Sequence, residues 1–255
     1  MSEESPRLAE LVGGLSLATD LGAGLGMETA LRTCLLAVEL GRGLGVQGEA
    51  LRDVYYTALL RFIGCTAYAH ETAAQFGGDD LALLGALAPI DTVSAGQLFG
   101  TAFRATRQGG LKAQLTTVVN LARDPKGGAK LAAAHCDLAV ALAARLGMSE
   151  GVVAALGQIY ERFDGRGSPA GLEGEQISMP ACILHLAWRV EVHRAMAGPQ
   201  AAIDVAVQRA GSEFDPIVVN AFLARATELL ALLDGPSVWD AFLSAEPRPF
   251  ELMTP

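Results

Sequence analysis

The residues best suited to chemistry crowd into one stretch, Ile159 to Gln176, IYERFDGRGSPAGLEGEQ. Glu161, Arg162, Asp164 and Arg166 fall there within a short span, among glycines and a proline that favour a loop. Carboxylates paired with guanidiniums can hold a cation or grip a phosphate. The segment DGRG, Asp164 to Gly167, could cradle a phosphate with backbone N–H groups and Arg166. Two glycines also serve simply to make a tight turn. The imidazoles are few: His70, His135, His185 and His193. His135 lies on an apolar helical face, where a hydrogen-bonded core histidine is the plainer reading than a ligand. His70-Glu71 could be a metal or acid/base pair, or an ordinary surface or capping pair. His185 and His193 read as a packing and a surface residue.

The elements that would position these groups read as helices. Apolar residues recur at three- and four-residue spacing over Leu8–Leu21, Met27–Leu44 and Gly48–Ile63. Gly45 ends the second. Asp79–Leu87, Ser94–Thr106 and Leu111–Ala122 are shorter candidates. RDPKGG, Arg123 to Gly128, reads as a breaker. Ala129–Leu146 is the clearest helix, with Leu131, His135, Leu138, Leu142 and Leu146 on one face. Ser149 caps the next, which delivers the chain to the loop. Met179–Ala197, Ala201–Ala210, Pro216 to about Leu233 and Val238–Ala245 follow, with Asp215 as N-cap and Pro216 in the first turn of its helix. No stretch alternates with period two. The expected fold class is all-α, one helical bundle of roughly a dozen helices. Residues 1–26 form an N-terminal helical extension, 27–245 the domain and 246–255 a linker-like tail.

Composition narrows the functions. The 255 residues are 51% hydrophobic, with a formal charge of −9 and pI about 4.9. A net acidic chain is poorly suited to nucleic acid, whose binding rests on Lys and Arg neutralising phosphates. Cys34, Cys65, Cys136 and Cys182 lie in apolar stretches without metal-ligand spacing, as free thiols of a cytoplasmic protein do. No apolar run reaches a membrane span, and MSEESPRLAE is not a signal peptide.

Beyond these patterns, ERFDGRGSPAGLEGEQI resembles the signature loop of the HD-GYP family, cyclic di-GMP phosphodiesterases on a helical HD-domain core. SEFDPIVVNAFL is similar to that family's C-terminal helix, and AAHCDLAVALAARLG to its mid-domain helix. METALRTCLLAVELGRGLG and YYTALLRFIGCTAYAHE stand where its first metal-bearing helices belong. The resemblance covers roughly residues 27–233. LLRFIGCTAYAHE and SVWDAFLSAEP further resemble the leading half of actinobacterial regulators that combine HD-GYP regions with a LuxR-type helix-turn-helix.

The resemblance implies divalent metals bridged by His and Asp, and here the donors are replaced. Its first-helix His falls on Thr29, its His-Asp pair on Arg61 and Phe62, and the following basic residue on Cys65. The His pair before the loop falls on Ile159 and Tyr160, and the Asp of the next helix on Trp188. The loop tyrosine is Ser168. His135 is kept, and Glu161 remains beside the lost pair. One His is too small a donor set, and Arg61 sets a positive charge where a cation belongs.

The expectation is therefore a non-catalytic regulatory module without cofactor, for ligand binding, dimerisation or partner contact in transcriptional regulation. His135, Glu161, Arg162, Asp164, Arg166, Phe62, Tyr160 and Trp188 are its ligand-binding candidates. A homodimer and a small-molecule ligand are its expected partners. The alternative is a metal-dependent phosphohydrolase acting on cyclic di-GMP or a related nucleotide, with a site rebuilt from His70, Glu71, His135, Glu161 and His185. A third reading is a scaffold with no ligand. The replaced positions predict an apolar plug in which Trp188 and Phe62 converge near His135.

Overall fold

The computed structural model describes residues 6–64, 85–91, 93–105, 119 and 127–250. In order they form α1 (Leu8–Gly22), α2 (Thr29–Gly43), α3 (Gly48–Leu60), α4 (Ala95–Ala105), α5 (Gly127–Arg145) and α6 (Glu150–Leu156). A short 3-10 turn (Gly174–Gln176) leads into α7 (Met179–Ala197), α8 (Pro199–Gln208), α9 (Pro216–Ala224), α10 (Ala226–Leu232) and α11 (Val238–Ala245). Among the described residues there is no strand, only isolated bridges such as Asp164 to Glu173. The all-α expectation holds.

Helix α7 is the axis of the molecule. Every residue from Ala181 to Val192 is buried, so the helix is covered on all sides. That is the signature of an element in the middle of a core rather than on its rim. α2, α3, α6, α8 and α9 pack around it. Pro180 sits in its first turn, where the missing N–H costs nothing. Because α7 is buried all round, its charged residues Arg189 and Glu191 must find partners inside the protein.

The caps legible in the sequence are present. Ser149 Oγ accepts from Val152 N at 3.2 Å, and Asp215 Oδ1 accepts from Ile217 N at 2.7 Å. Other boundaries shift. α5 begins at Gly127, inside the expected breaker. Its buried positions are His135, Cys136, Ala139 and Ala143, while Leu146 is exposed. Small residues let α5 approach its neighbours closely, so its other leucines are only partly buried, with Leu142 still packed against the core. Pro199 opens α8 instead of preceding it. The expected helix from Pro216 to Leu233 is two, parted at Arg225.

α1 packs on α2 and α3 and buries Ala9, Val12 and Ser16, while Gly13 lies against the Phe242 ring of α11. Arg7, just before α1, meets Glu246, just after α11, in an ion pair. Tyr56 on α3 donates to the same Glu246 carboxylate at 2.9 Å. Cys34, Cys136 and Cys182 are buried free thiols. Among the described residues no helix is long and apolar enough to cross a membrane. Cys65, His70, Glu71 and the candidate helix Leu111–Ala122, apart from Val119, lie outside the described residues, as does most of Asp79–Leu87.

Candidate functional site

Four elements meet where the site is expected: the end of α3, the middle of α5, the loop after α6 and the centre of α7. The close approach is set by Gly64. A Cβ there would overlap the carbonyl oxygen of His135, so only glycine lets the chain after α3 lie against the α5 backbone. Arg61 and Phe62 are thereby brought under α7.

Arg61 is 2% exposed. Its guanidinium carbon stands 3.8 Å from the Trp188 ring centroid, 5.3 Å from that of Phe62 and 5.8 Å from that of Tyr160. Nη1 donates to the carbonyl of Ile159 at 3.3 Å. Phe62 and Trp188 pack edge to face with centroids 6.1 Å apart. Arg189 approaches the same indole, its guanidinium carbon 4.5 Å from the centroid. Trp188 thus lies within cation–π reach of two arginines. Its indole Nε1 is buried and makes no hydrogen bond. His135 packs on Tyr160, ring centroids 6.4 Å apart. Burial pushes its imidazole below the ordinary histidine range.

The acidic loop is built differently from the sequence expectation. Glu161 is a structural anchor. Its Oε1 accepts from Ala170 N at 2.7 Å and Gly171 N at 3.2 Å, and its Oε2 from Leu172 N at 2.9 Å. Both oxygens are spent on the loop's own backbone. Gly167 permits the fold-back, since a Cβ there would overlap the backbone of Glu161 and Arg162. The phosphate cradle does not form. Asp164 N donates to the Ser212 carbonyl, Gly165 N to that of Arg162 and Ser168 N to that of Tyr160. Arg166 N donates to Asp164 Oδ1 at 3.1 Å, while the Arg166 side chain is exposed.

Arg162 grips Asp164 with Nε and Nη2, both at 3.0 Å, and reaches Asp91 Oδ1 with Nη1 at 2.9 Å. Burial works against its charge, but the two aspartates win and raise its pKa. For Asp164, burial pushes upward and Arg162 pulls the carboxyl down further.

Behind this pair lies a centre that sequence reasoning missed. Glu213 is buried and accepts from Arg189 Nε at 2.6 Å and Arg209 Nη1 at 2.8 Å. Arg162 Nη1 is 3.7 Å from it, and His185 Nε2 3.4 Å. Burial would raise the Glu213 carboxyl, yet Arg189, His185 and Arg209 drive it far below the carboxylate range. Arg189 and Arg209 also donate to the carbonyls of Ala88 and Pro89. Together with Arg162 and Asp91 they clamp residues 88–91 to the core. Glu213 stands two residues before the visible Asp215 cap, where an acidic residue reads as a partner of the helix dipole.

Among the described residues the donor set does not fit a metal. At the expected locus His135 packs on Tyr160, which the Arg61 guanidinium also faces, and Phe62, Ile159 and Trp188 surround that guanidinium. Thr29 Oγ1 donates to the Gly26 carbonyl at 2.7 Å, as part of the lead into α2. Glu161 is committed to three N–H groups. His185 faces Glu213 at 3.4 Å, among the arginines of that centre. Among the described residues no group of three or more His, Cys, Asp or Glu could hold a metal ion. The rebuilt site expected from His70, Glu71, His135, Glu161 and His185 is not assembled by its described members.

Residues 129–218 match the family model of the HD domain. The segment runs from α5 through the loop and α7 to the start of α9. Over 214 residues the chain is 26% identical to 3'3'-cGAMP-specific phosphodiesterase 3 of Vibrio cholerae, covering 84% of this chain and 46% of that protein. The crystal structure of a cyclic GMP-AMP-specific phosphodiesterase of V. cholerae (V-cGAP3) superposes with a TM-score of 0.71 at 22% identity, covering 96% of this chain and 55% of that one. The chain spans about half the length of these relatives. They are named as phosphodiesterases. This overturns the expectation of a non-catalytic regulatory module and favours its alternative, a phosphohydrolase.

Proposed function

We propose that this chain takes part in the hydrolysis of a cyclic dinucleotide, as an HD-type phosphohydrolase. The observation that carries the proposal is the similarity to a cyclic-dinucleotide phosphodiesterase across most of the chain's length. In the reaction a water oxygen bonds to phosphorus, one phosphate–ribose ester bond breaks, and the ribose oxygen leaves with a proton. The product is the linear dinucleotide.

Divalent metals supply the hydroxide and the charge stabilisation in reactions of this class. Among the described residues no group of three or more His, Cys, Asp or Glu could hold them. What the described residues contribute is support. Glu161 fixes the turn Ala170–Leu172. Arg162, Arg189 and Arg209 hold the segment 88–91 to the Glu213 centre. Arg166 is left exposed at the rim of the loop, as a group free to meet a phosphate.

The test is a turnover assay on the purified chain. Cyclic GMP-AMP and cyclic di-GMP are supplied separately with manganese or ferrous iron, and the linear product is followed by chromatography. The expected result is ring opening that EDTA abolishes and added metal restores. No linear product from either dinucleotide with either metal overturns the proposal.

A further inference from the structure

We infer that the guanidinium of Arg61, clasped by Trp188, is the resident cation of the locus around His135, and that this locus takes no divalent metal. This deepens the phosphohydrolase reading and rests on it in one respect, since it says where the metals of that reaction do not sit. The geometry behind it is independent of that reading.

Charge comes first. Arg61 is fully protonated under all ordinary conditions. It is buried, held through Ile159 at one end of its guanidinium and covered by the Trp188 face. Arg189 places a second guanidinium against the same indole. A divalent ion beside His135 would therefore stand near the fixed positive charge of Arg61, in a medium that screens it less than water does, while the Arg189 charge is met by Glu213.

Ligands come second. First-row and alkaline-earth cations need several oxygen or nitrogen donors in a fixed arrangement. His135 brings one. The two Glu161 oxygens already accept three backbone N–H bonds. Freeing them would strand those donors. His185 and Glu213 are engaged with each other, and Arg189 binds Glu213 directly.

Space comes third. Phe62 and Trp188 pack edge to face, and both are buried. Gly64 brings the α5 backbone against the chain at the end of α3. The aromatic pair takes space beside the Arg61 guanidinium.

The same features explain why the charge is tolerated. An aromatic face attracts a cation through its quadrupole, and arginine is more weakly hydrated than a metal ion.

The test reads metal binding without reading turnover. Trp239 is replaced by Phe so that Trp188 is the sole indole, Trp188 and Trp239 being the two in the chain. Paramagnetic manganese is titrated while emission is followed, and protein-bound metal is counted after desalting. The expected result is Trp188 emission unchanged within about a tenth up to millimolar manganese, with the same bound-metal count in His135→Gln. Quenching of Trp188 at micromolar manganese that disappears in His135→Gln overturns the inference. Should Trp239→Phe not fold, indole ¹⁵N resonances of the unaltered chain answer the same question. A Trp188 signal that persists supports the inference, and one that broadens at micromolar manganese overturns it. Failure of the turnover assay leaves this result unaffected, and metal found away from Trp188 with turnover agrees with both proposals.

Discussion

Arg61 and Trp188 meet face-on, with the guanidinium carbon 3.8 Å above the indole centroid. One residue closes α3 and the other lies at the centre of α7, so this contact joins two helices of the core. A buried cation on an aromatic face contributes on the order of 2 kcal/mol when desolvated. Truncating the ring removes both that attraction and the packing. Trp188→Ala is expected to lower stability by about 3–5 kcal/mol. A double-mutant cycle with Arg61→Met and Trp188→Leu is expected to show coupling of roughly 1–2 kcal/mol. Urea unfolding measures both. Additive single substitutions would mean that the two residues merely lie near each other.

Glu213 gives the acid limb of the stability profile. Its folded pKa is depressed by Arg189, His185 and Arg209 against the opposing effect of burial. The unfolded chain therefore binds the proton more readily. The stabilisation is fully present above the ordinary glutamate pKa of 4.5 and is lost as pH falls below it. Glu213→Gln is expected to lower stability at pH 7 by about 3–5 kcal/mol, because it leaves buried guanidiniums without their carboxylate. The variant should also flatten the decline between about pH 5 and pH 3, because the group whose protonation drives that decline is gone. Chemical denaturation across that range checks both, and an unchanged acid slope would show that Glu213 does not set it.

What the sequence made legible was local. Ser149 and the Asp215-Pro216 pair announce their helices because a cap acts over three residues of the same chain. The breadth of α7 was legible as apolar content, though its central place was not. Glu213 escaped notice because its partners Arg162, Arg189 and Arg209 come from three other segments, and nothing in the spacing pairs them. Glu161 was read as a possible ligand because a carboxylate beside lost donors suggests one. Its true partners are backbone N–H groups, which have no letter in a sequence. The face of α5 was legible only in part, at His135 and Leu142, for a related reason. Leucines mark hydrophobicity, but Cys136, Ala139 and Ala143 mark closeness, and close packing decided the orientation.

Asp20 sets the opposite trend near neutrality. It sits at the end of α1 and accepts from Ala30 N in the first turn of α2, at 3.1 and 3.2 Å. Burial raises its carboxyl to about 7, more than the backbone bonds lower it. Here the folded state holds the proton more tightly than the unfolded one. The associated stability is present below the ordinary aspartate pKa of 3.8 and is lost as pH rises through about 7. Asp20→Asn keeps an acceptor for Ala30 N and cannot ionise. It is expected to be more stable than the parent at pH 8 by about 1–3 kcal/mol, with the gap closing towards about pH 4. Melting curves at the two pH values decide it, and a constant gap would show that the charge on Asp20 is not the cause.

Glu161 separates an anchoring carboxylate from a metal ligand. A ligand lost to substitution lowers metal content and leaves the loop in place. An anchor lost to substitution frees the loop. Glu161→Ala removes the acceptor of three backbone N–H groups at Ala170, Gly171 and Leu172. Each stranded donor that stays buried costs about 1–3 kcal/mol, and donors that reach water cost less, so the turn is expected to open. Faster amide exchange at those three residues, with bound metal unchanged, is the expected outcome. Glu161→Gln keeps one carbonyl oxygen but brings an NH₂ against the donors, so its exchange should fall between parent and Ala. Loss of bound metal in both variants, with amide exchange at Ala170–Leu172 left at the parent rate, would return Glu161 to the role of ligand.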